Sequence, residues 1–107
     1  MNIKISKNQV RFRITNDELS ELIENECLVM ESPLQSSIQK YLIFVEDIET
    51  PLQLKEGDKQ IVLFVDAGTL SKFQKQLPSR DGIEDEFISK NGISVKIALE
   101  VDVRKKP

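Results

Sequence analysis

Apolar and polar residues alternate strictly in two short segments at the start of the chain, residues 2–6 and 9–14. The apolar positions of each segment fall on one side, while Lys4, Arg11 and Arg13 fall on the other. Because successive side chains of a strand point to opposite faces, each segment is predicted to be a half-buried strand. The short polar link between them predicts a β-hairpin.

The period of the pattern changes at Thr15. Thr15 is followed three residues later by Glu18, which is the spacing of a capping box, in which each side chain accepts a hydrogen bond from the other residue's backbone N–H. Leu19 and Leu22 then recur at helical spacing. The sequence therefore predicts an amphipathic helix from residue 16 to about residue 25.

Three further strands are predicted in the middle of the chain. The segment 27–31 is predicted to be a strand that ends at the Ser-Pro pair after it. The continuous apolar block 41–45 predicts a strand that is covered on both faces. The segment 60–65 is the most apolar run, so it is predicted to be the central strand of the sheet.

A second helix and a second hairpin are predicted after this central strand. Asp66 is placed to cap a helix whose inward face is Leu70, Phe73 and Leu77, and Pro78 should end it. Farther along, Asn-Gly at 91–92 lies between two β-like runs. Both residues tolerate positive φ, so this pair predicts a hairpin turn.

The two strand-to-helix passages resemble each other. When residues 9–22 are placed over residues 60–73, strand matches strand, cap matches cap, and the apolar helix positions coincide. Two interpretations stay open: a true internal duplication, and the general likeness of any strand that leads into a capped amphipathic helix.

These elements predict the fold class and the domain organisation. Residues 1–107 are expected to form a single α+β domain, with a mainly antiparallel sheet of about seven strands and two amphipathic helices packed on it. Strands this apolar leave edges that need covering, so the pattern also allows a homodimer that pairs or buries its sheet edges.

Composition and charge exclude several classes of protein. The chain is 39% hydrophobic and 31% charged and has no apolar run of about 18 residues, so a soluble, cytoplasmic protein with no membrane segment is expected. Residues 16–58 hold eleven acidic and two basic residues. Nucleic-acid binding requires a clustered basic surface, so no nucleic-acid partner is expected.

Little in the sequence points to catalysis or to a cofactor. The chain has no histidine and no glycine-rich phosphate loop, so the sequence favours a protein that is not an enzyme and holds no cofactor. The acidic groups at 81–86 and 46–49 lack the ligand spacing of a calcium loop and are interpreted as solvated, with no metal site. Cys27 is interpreted as a buried small hydrophobe rather than a reactive thiol. The aromatic residues are expected mainly in the core, without a platform for base stacking.

The charged side of the first hairpin is the best candidate site. Guanidinium groups can hold a carboxylate or phosphate through two hydrogen bonds, so Lys4, Arg11 and Arg13 are a candidate anion site. The alternative is a structural ladder. The last strand has Glu100 and Asp102 on its polar side, and if the two terminal strands are neighbours, these carboxylates would be cross-strand partners of the arginines.

The two ends of the chain resemble a small bacterial family of uncharacterised proteins, whose members begin M-K-I-R-I-K-G-N-S-I-R-L-R-L-T. The identical positions at the start are Met1, Ile3, Ile5, Asn8, Arg11, Arg13 and Thr15. The final strand is similar through Ile97, Glu100 and Asp102. Members of that family continue past this strand with a cysteine-containing tail, where this sequence reads R-K-K-P. The resemblance implies a shared fold and carries no known activity.

Two classes of function therefore remain open. The first is a small non-enzymatic binding or accessory module that acts through its surface. The second is an anion-binding or small-ligand-binding domain, which includes the enzymatic case, with Arg11, Arg13, Glu100 and Asp102 lining its cavity. Open exposure of these four side chains would favour the first class, and their convergence in a pocket would favour the second.

Overall fold

A computed structural model describes residues 1–32, 40–78 and 81–102. This part of the chain contains eight strands and two helices. The elements are β1 (Asn2–Ser6), β2 (Gln9–Ile14), α1 (Asn16–Asn25), β3 (Cys27–Glu31), β4 (Lys40–Glu46), β5 (Leu52–Gly57), β6 (Gln60–Asp66), α2 (Ala67–Lys75), β7 (Ile83–Ile88) and β8 (Ser94–Val101).

The described strands form two four-stranded mixed sheets, so the predicted single sheet of about seven strands is not exact, although four of the six strand pairs are antiparallel. Sheet A has the order β1-β2-β8-β7, and sheet B has the order β3-β4-β6-β5. The outer pairs are antiparallel hairpins, whereas the central pairs β2–β8 and β4–β6 are parallel. A helix follows each of β2 and β6. The parallel partner of β2 is β8, from the other end of the described chain, whereas β4, the parallel partner of β6, is separated from it only by β5. The α+β class with two helices is confirmed.

Strand β5 was not predicted, and it raises the number of strands from the expected seven to eight. Only Leu52 and Leu54 of this strand turn toward the core, and its other side carries polar residues before the strand ends at Gly57. Short polar edge strands carry a weak hydrophobic signal, because only one side of them is buried.

The passage from β2 into α1 agrees with the predicted capping box. The Glu18 backbone N–H donates to Thr15 Oγ1 over 3.1 Å, and the Thr15 backbone N–H donates to Glu18 Oε1 over 3.0 Å. The helix begins at Asn16, ends at Asn25 and buries Leu19 and Leu22. Pairing two otherwise unsatisfied N–H groups with side chains lets the backbone leave the strand within one residue.

Helix α2 begins in the same way, with Asp66 as its N-cap. Its buried side is Leu70 and Phe73, as predicted, but the helix ends at Lys75. Leu77 therefore lies beyond the helix, although it still packs against the core. The helix stops ahead of Pro78 because the residue before a proline avoids the helical conformation.

The Asp66 cap predicts how stability responds to acid. The Thr69 hydroxyl donates to Asp66 over 2.9 Å, and this bond, with those from the Ile48 and Thr69 amides, lowers the pKa of Asp66 below its ordinary value. A group with a depressed folded pKa contributes stability that is complete above its unfolded pKa and is lost as the pH falls through its folded pKa. The measurement is the urea midpoint of unfolding as a function of pH. In wild type this midpoint should fall as the pH becomes acidic, and in Asp66→Asn it should fall less steeply. Asp58→Asn, in the β5–β6 turn, is the control and should keep the wild-type slope; equal slopes in all three proteins would contradict the assignment.

One hydrophobic core joins the two sheets and both helices. Its residues alternate along the strands, which places the inner side of each sheet against the other elements. The fully buried members include Phe12 and Leu99 of sheet A and Ile43 and Leu63 of sheet B. Neither described helix is long and apolar enough to cross a lipid bilayer.

The two halves of the chain follow one plan. Each half runs hairpin, helix, hairpin, and each sheet combines the first hairpin of one half with the second hairpin of the other. Gln9 corresponds to Gln60 in strand register, and the caps Thr15 and Asp66 correspond as well. Every described strand of sheet A therefore has an equivalent strand in sheet B.

Candidate functional site

The outer side of sheet A brings the predicted charged residues together. Because β2 and β8 are parallel and adjacent, Arg11 Nη2 lies 3.1 Å from Glu100 Oε2, and Arg13 Nη2 lies 3.8 Å from Asp102 Oδ1. The arginine side chains are nearly half exposed, at 43% and 45%. The Glu100 and Asp102 side chains are less exposed, at 21% and 23%, so the arginines lie on an open sheet surface with half-buried carboxylates beside them.

A shallow groove runs along the basic edge of this charged surface. It has a volume of about 160 Å³ and is lined by Asn2, Lys4, Arg11, Arg13 and Glu100. Within the described ranges, Lys4 makes no ion pair, and the buried Nε of Arg11 has no hydrogen-bond partner. The groove therefore keeps donor capacity that the ladder does not use.

The acidic candidates of the sequence do not assemble into a metal site. Glu84, Asp85 and Glu86 alternate along β7, so they point to different sides of the strand. Asp85 accepts a hydrogen bond from the Leu52 backbone N–H over 3.3 Å, which ties β7 to β5. Across residues 1–32, 40–78 and 81–102, no three His, Cys, Asp or Glu side chains group closely enough to hold an ion.

The outer side of sheet B has a different character. We call its centre the apolar face, which consists of Cys27, Val29, Leu42, Phe44, Val62 and Phe64. None of them is a member of the cluster that joins the two sheets. Val62 is nevertheless buried, at 7% exposure, while Cys27, Leu42, Phe44 and Phe64 are partly exposed. The rings of Phe44 and Phe64 stack with their centroids 6.0 Å apart, and Val29 is 49% exposed at the β3 edge.

Two sequence expectations fail at the apolar face, those for the cover of β4 and for the burial of Cys27. Strand β4 is not covered on both faces, because Ile43 is fully buried while Leu42 and Phe44 remain partly exposed. The aromatic residues do lie mainly in the core or against it, as expected, and Phe44 and Phe64 are the two exceptions. Cys27 is half-buried rather than buried. The apolar pattern was interpreted correctly as strand, but the element that should cover its second side is not among those described.

Charged and polar residues border the apolar face. Glu31 and Lys40 lie at one end of the strands and Glu46 at the other, while Gln53 and Lys55 of β5 close the third side. Lys55 Nζ lies 5.6 Å from the centroid of the Phe64 ring, within cation–π distance. An apolar centre inside a polar border is the usual anatomy of a protein–protein contact surface.

The equivalence of the two sheets shows where their outer sides differ. The border positions are alike, since Lys4 corresponds to Lys55 and Lys96 to Lys40. The central positions are not alike. The sheet A residues at these positions are Arg11, Arg13, Glu84, Ala98 and Glu100, and their sheet B equivalents are Val62, Phe64, Val29, Leu42 and Phe44.

Sequence reasoning identified the charged residues of sheet A and missed the apolar face. The sequence did contain a signal for the apolar face. Strands β4 and β6 are apolar at consecutive positions, whereas a strand with one solvated side alternates apolar and polar residues. The sequence alone could not show which strands are neighbours, and therefore could not show that these residues form one surface.

Comparisons with known proteins agree with the resemblance seen at the two ends of the chain. The model of a family of unknown function, DUF7009, matches residues 1–104. No curated protein and no solved structure matched the chain. The match covers nearly all of the 107 residues, so the chain belongs to the family of unknown function DUF7009.

Proposed function

We propose that this protein is a non-enzymatic binding module whose docking surface for another protein is the apolar face. The observation that carries the proposal is the cluster of six apolar side chains on the outer side of sheet B, inside a border of charged residues. Contiguous apolar surface rimmed by polar residues marks interaction sites on folded proteins.

The contrast with sheet A supports this proposal. Equivalent strands with the same border carry a charged centre on one sheet and an apolar centre on the other. The fold therefore does not require an apolar outer side, since sheet A forms without one. The apolar residues of sheet B are best explained by a partner that buries them.

Two neighbouring residues of β4 provide a matched test. Ile43 points into the core and is fully buried, whereas Phe44 belongs to the apolar face. We expect Ile43→Glu to unfold the protein, because it places a charge in the core, and Phe44→Glu to keep the wild-type far-UV circular dichroism with a stability loss of about 1 kcal/mol. At low micromolar concentration, Phe44→Glu should also bind less of the apolar dye ANS than wild type. Unfolding of Phe44→Glu would show that the face serves the fold and would contradict the proposal.

The groove beside the ladder supports a second candidate function, the binding of a small carboxylate or phosphate. The ammonium group of Lys4, which lines the groove and makes no ion pair with the described residues, carries this candidate. A structural ladder alone would contribute about 0.2 to 1 kcal/mol per exposed pair.

Glutamine substitutions separate the ladder from an anion site. If the groove binds an anion, sulfate or citrate should raise the melting temperature of wild type and should lose this effect in Arg11→Gln and Arg13→Gln. If only a ladder exists, both variants should lose up to about 1 kcal/mol of unfolding free energy, with the same response to anions as wild type. Lys96→Gln, on the same side of sheet A but outside this groove, is the control.

A further inference from the structure

We infer that the apolar face is covered by a second copy of this chain, which packs its own apolar face against the first in a two-fold symmetric dimer. This inference rests on the proposed function and names the partner. Two sheets that pack face to face lie about 10 Å apart with their strands nearly aligned. The two-fold axis would run along the strands, between β4 and β6.

The border charges are suited to a copy of the same surface. The border carries three acids, Glu31, Glu46 and its β6 neighbour Asp66, and two bases, Lys40 and Lys55, so it has both signs and a net charge of only -1. In a two-fold interface, each contact is made twice, with the roles of the copies exchanged. A partner with a strongly acidic or strongly basic surface would be repelled by the border residues of like charge.

The strand order gives the expected arrangement of such a dimer. Rotation about an axis between β4 and β6 places β3 of one copy over β5 of the other, and β4 over β6. Phe44 then meets the partner's Phe64. Glu31 lies at the level of Gly57 in the partner's β5, two residues along that strand from Lys55, which its long side chain can reach. Both the aromatic centre and the border charges are self-complementary in this arrangement.

The size of the surface suits a dimer of moderate affinity. Four strands of up to seven residues give a face about 20 Å on each side. Covering it would bury on the order of 1,200 Å² in total, which is the lower end of specific interfaces. We therefore expect dissociation in the micromolar range.

Sedimentation equilibrium from low micromolar to several hundred micromolar concentration tests the inference. Wild type should shift from the monomer mass of 12.3 kDa toward twice that value. Phe44→Glu should weaken the dimer at least about 100-fold, as loss of a central aromatic contact does. Ser6→Glu, which adds the same charge on the outer side of sheet A, should dimerise like wild type. A wild-type dimer that Phe44→Glu leaves intact would overturn the inference.

A charge exchange tests the same arrangement with exposed residues. Lys55→Glu and Glu31→Lys should each weaken the dimer about tenfold, and the double variant should recover most of the wild-type affinity. Failure of the double variant to recover would contradict the placement of β3 over β5.

A wild type that stays monomeric at every concentration would overturn the inferred dimer. The proposed function is then tested separately, by ANS binding to the monomer. Dye binding to monomeric wild type that is lost in Phe44→Glu would leave the apolar face as a docking surface for a different protein. Equal dye fluorescence with both proteins would contradict the docking surface as well.

Discussion

Phe12→Ala is expected to lower the free energy of unfolding by about 3 to 5 kcal/mol, because it removes a fully buried ring and leaves a cavity in a packed core. Leu63→Ala, at the equivalent position of sheet B, should cost about 2 to 5 kcal/mol for the same reason. Both losses are measured by urea unfolding followed by far-UV circular dichroism. Val29→Ala, half exposed and outside the core, is the control and should cost about 0.5 kcal/mol.

The same variants test the proposal that the chain is a single domain. Tyr41, the only tyrosine in a chain without tryptophan, lies on β4 and packs against the core, so its fluorescence reports on sheet B. If one core joins the sheets, Phe12→Ala should shift the Tyr41 transition and the circular dichroism transition together. An unchanged Tyr41 transition in Phe12→Ala would show that the two sheets unfold separately.

Gly82→Ala is the second substitution with a large expected effect. A Cβ atom at this position would overlap the Leu99 carbonyl oxygen and lie 2.8 Å from Glu100 Cγ. The β8 backbone cannot move aside cheaply, so the start of β7 must shift, and we expect a loss of about 2 kcal/mol or more in urea unfolding. The displacement would also disturb Glu100, the ion-pair partner of Arg11.

Gly68→Ala is the matched control for that substitution. Gly68 lies in the first turn of α2, where a Cβ atom would make only an ordinary contact of 3.5 Å with Asp66 Oδ2. Alanine in a helix also reduces the conformational freedom of the unfolded chain, so we expect a gain of about 0.5 to 1 kcal/mol. A Gly82→Ala protein as stable as wild type would contradict the close approach of β7 to β8.

The sequence predicted local structure well because local rules determine it. The capping box at Thr15 and the Asp66 cap each depend on residues three apart. The Asn-Gly pair marked the β7–β8 hairpin, although only Gly92 has a positive φ, at 77°, and the connection spans residues 89–93. The neighbouring positions of β2 and β8 were anticipated from charge complementarity between their polar sides.

The global arrangement could not be predicted in the same way. The alternation of β2 and β8 is the same for parallel and antiparallel pairing, so it did not distinguish two mixed sheets from one antiparallel sheet. Phe44 and Phe64 are twenty residues apart and become neighbours only because β4 and β6 are paired. The apolar face therefore depends on topology, which a single sequence does not specify.

Hydroxyl-radical footprinting at low and at high protein concentration tests the central claim most directly, because it measures the accessibility of individual side chains. The claim predicts that labelling of Val29, Phe44 and Phe64 falls as the protein is concentrated from low to several hundred micromolar. Labelling of Ile88, which is 68% exposed on the outer side of sheet A, should stay constant. Unchanged labelling of the apolar face, or protection of Ile88 in its place, would contradict the claim.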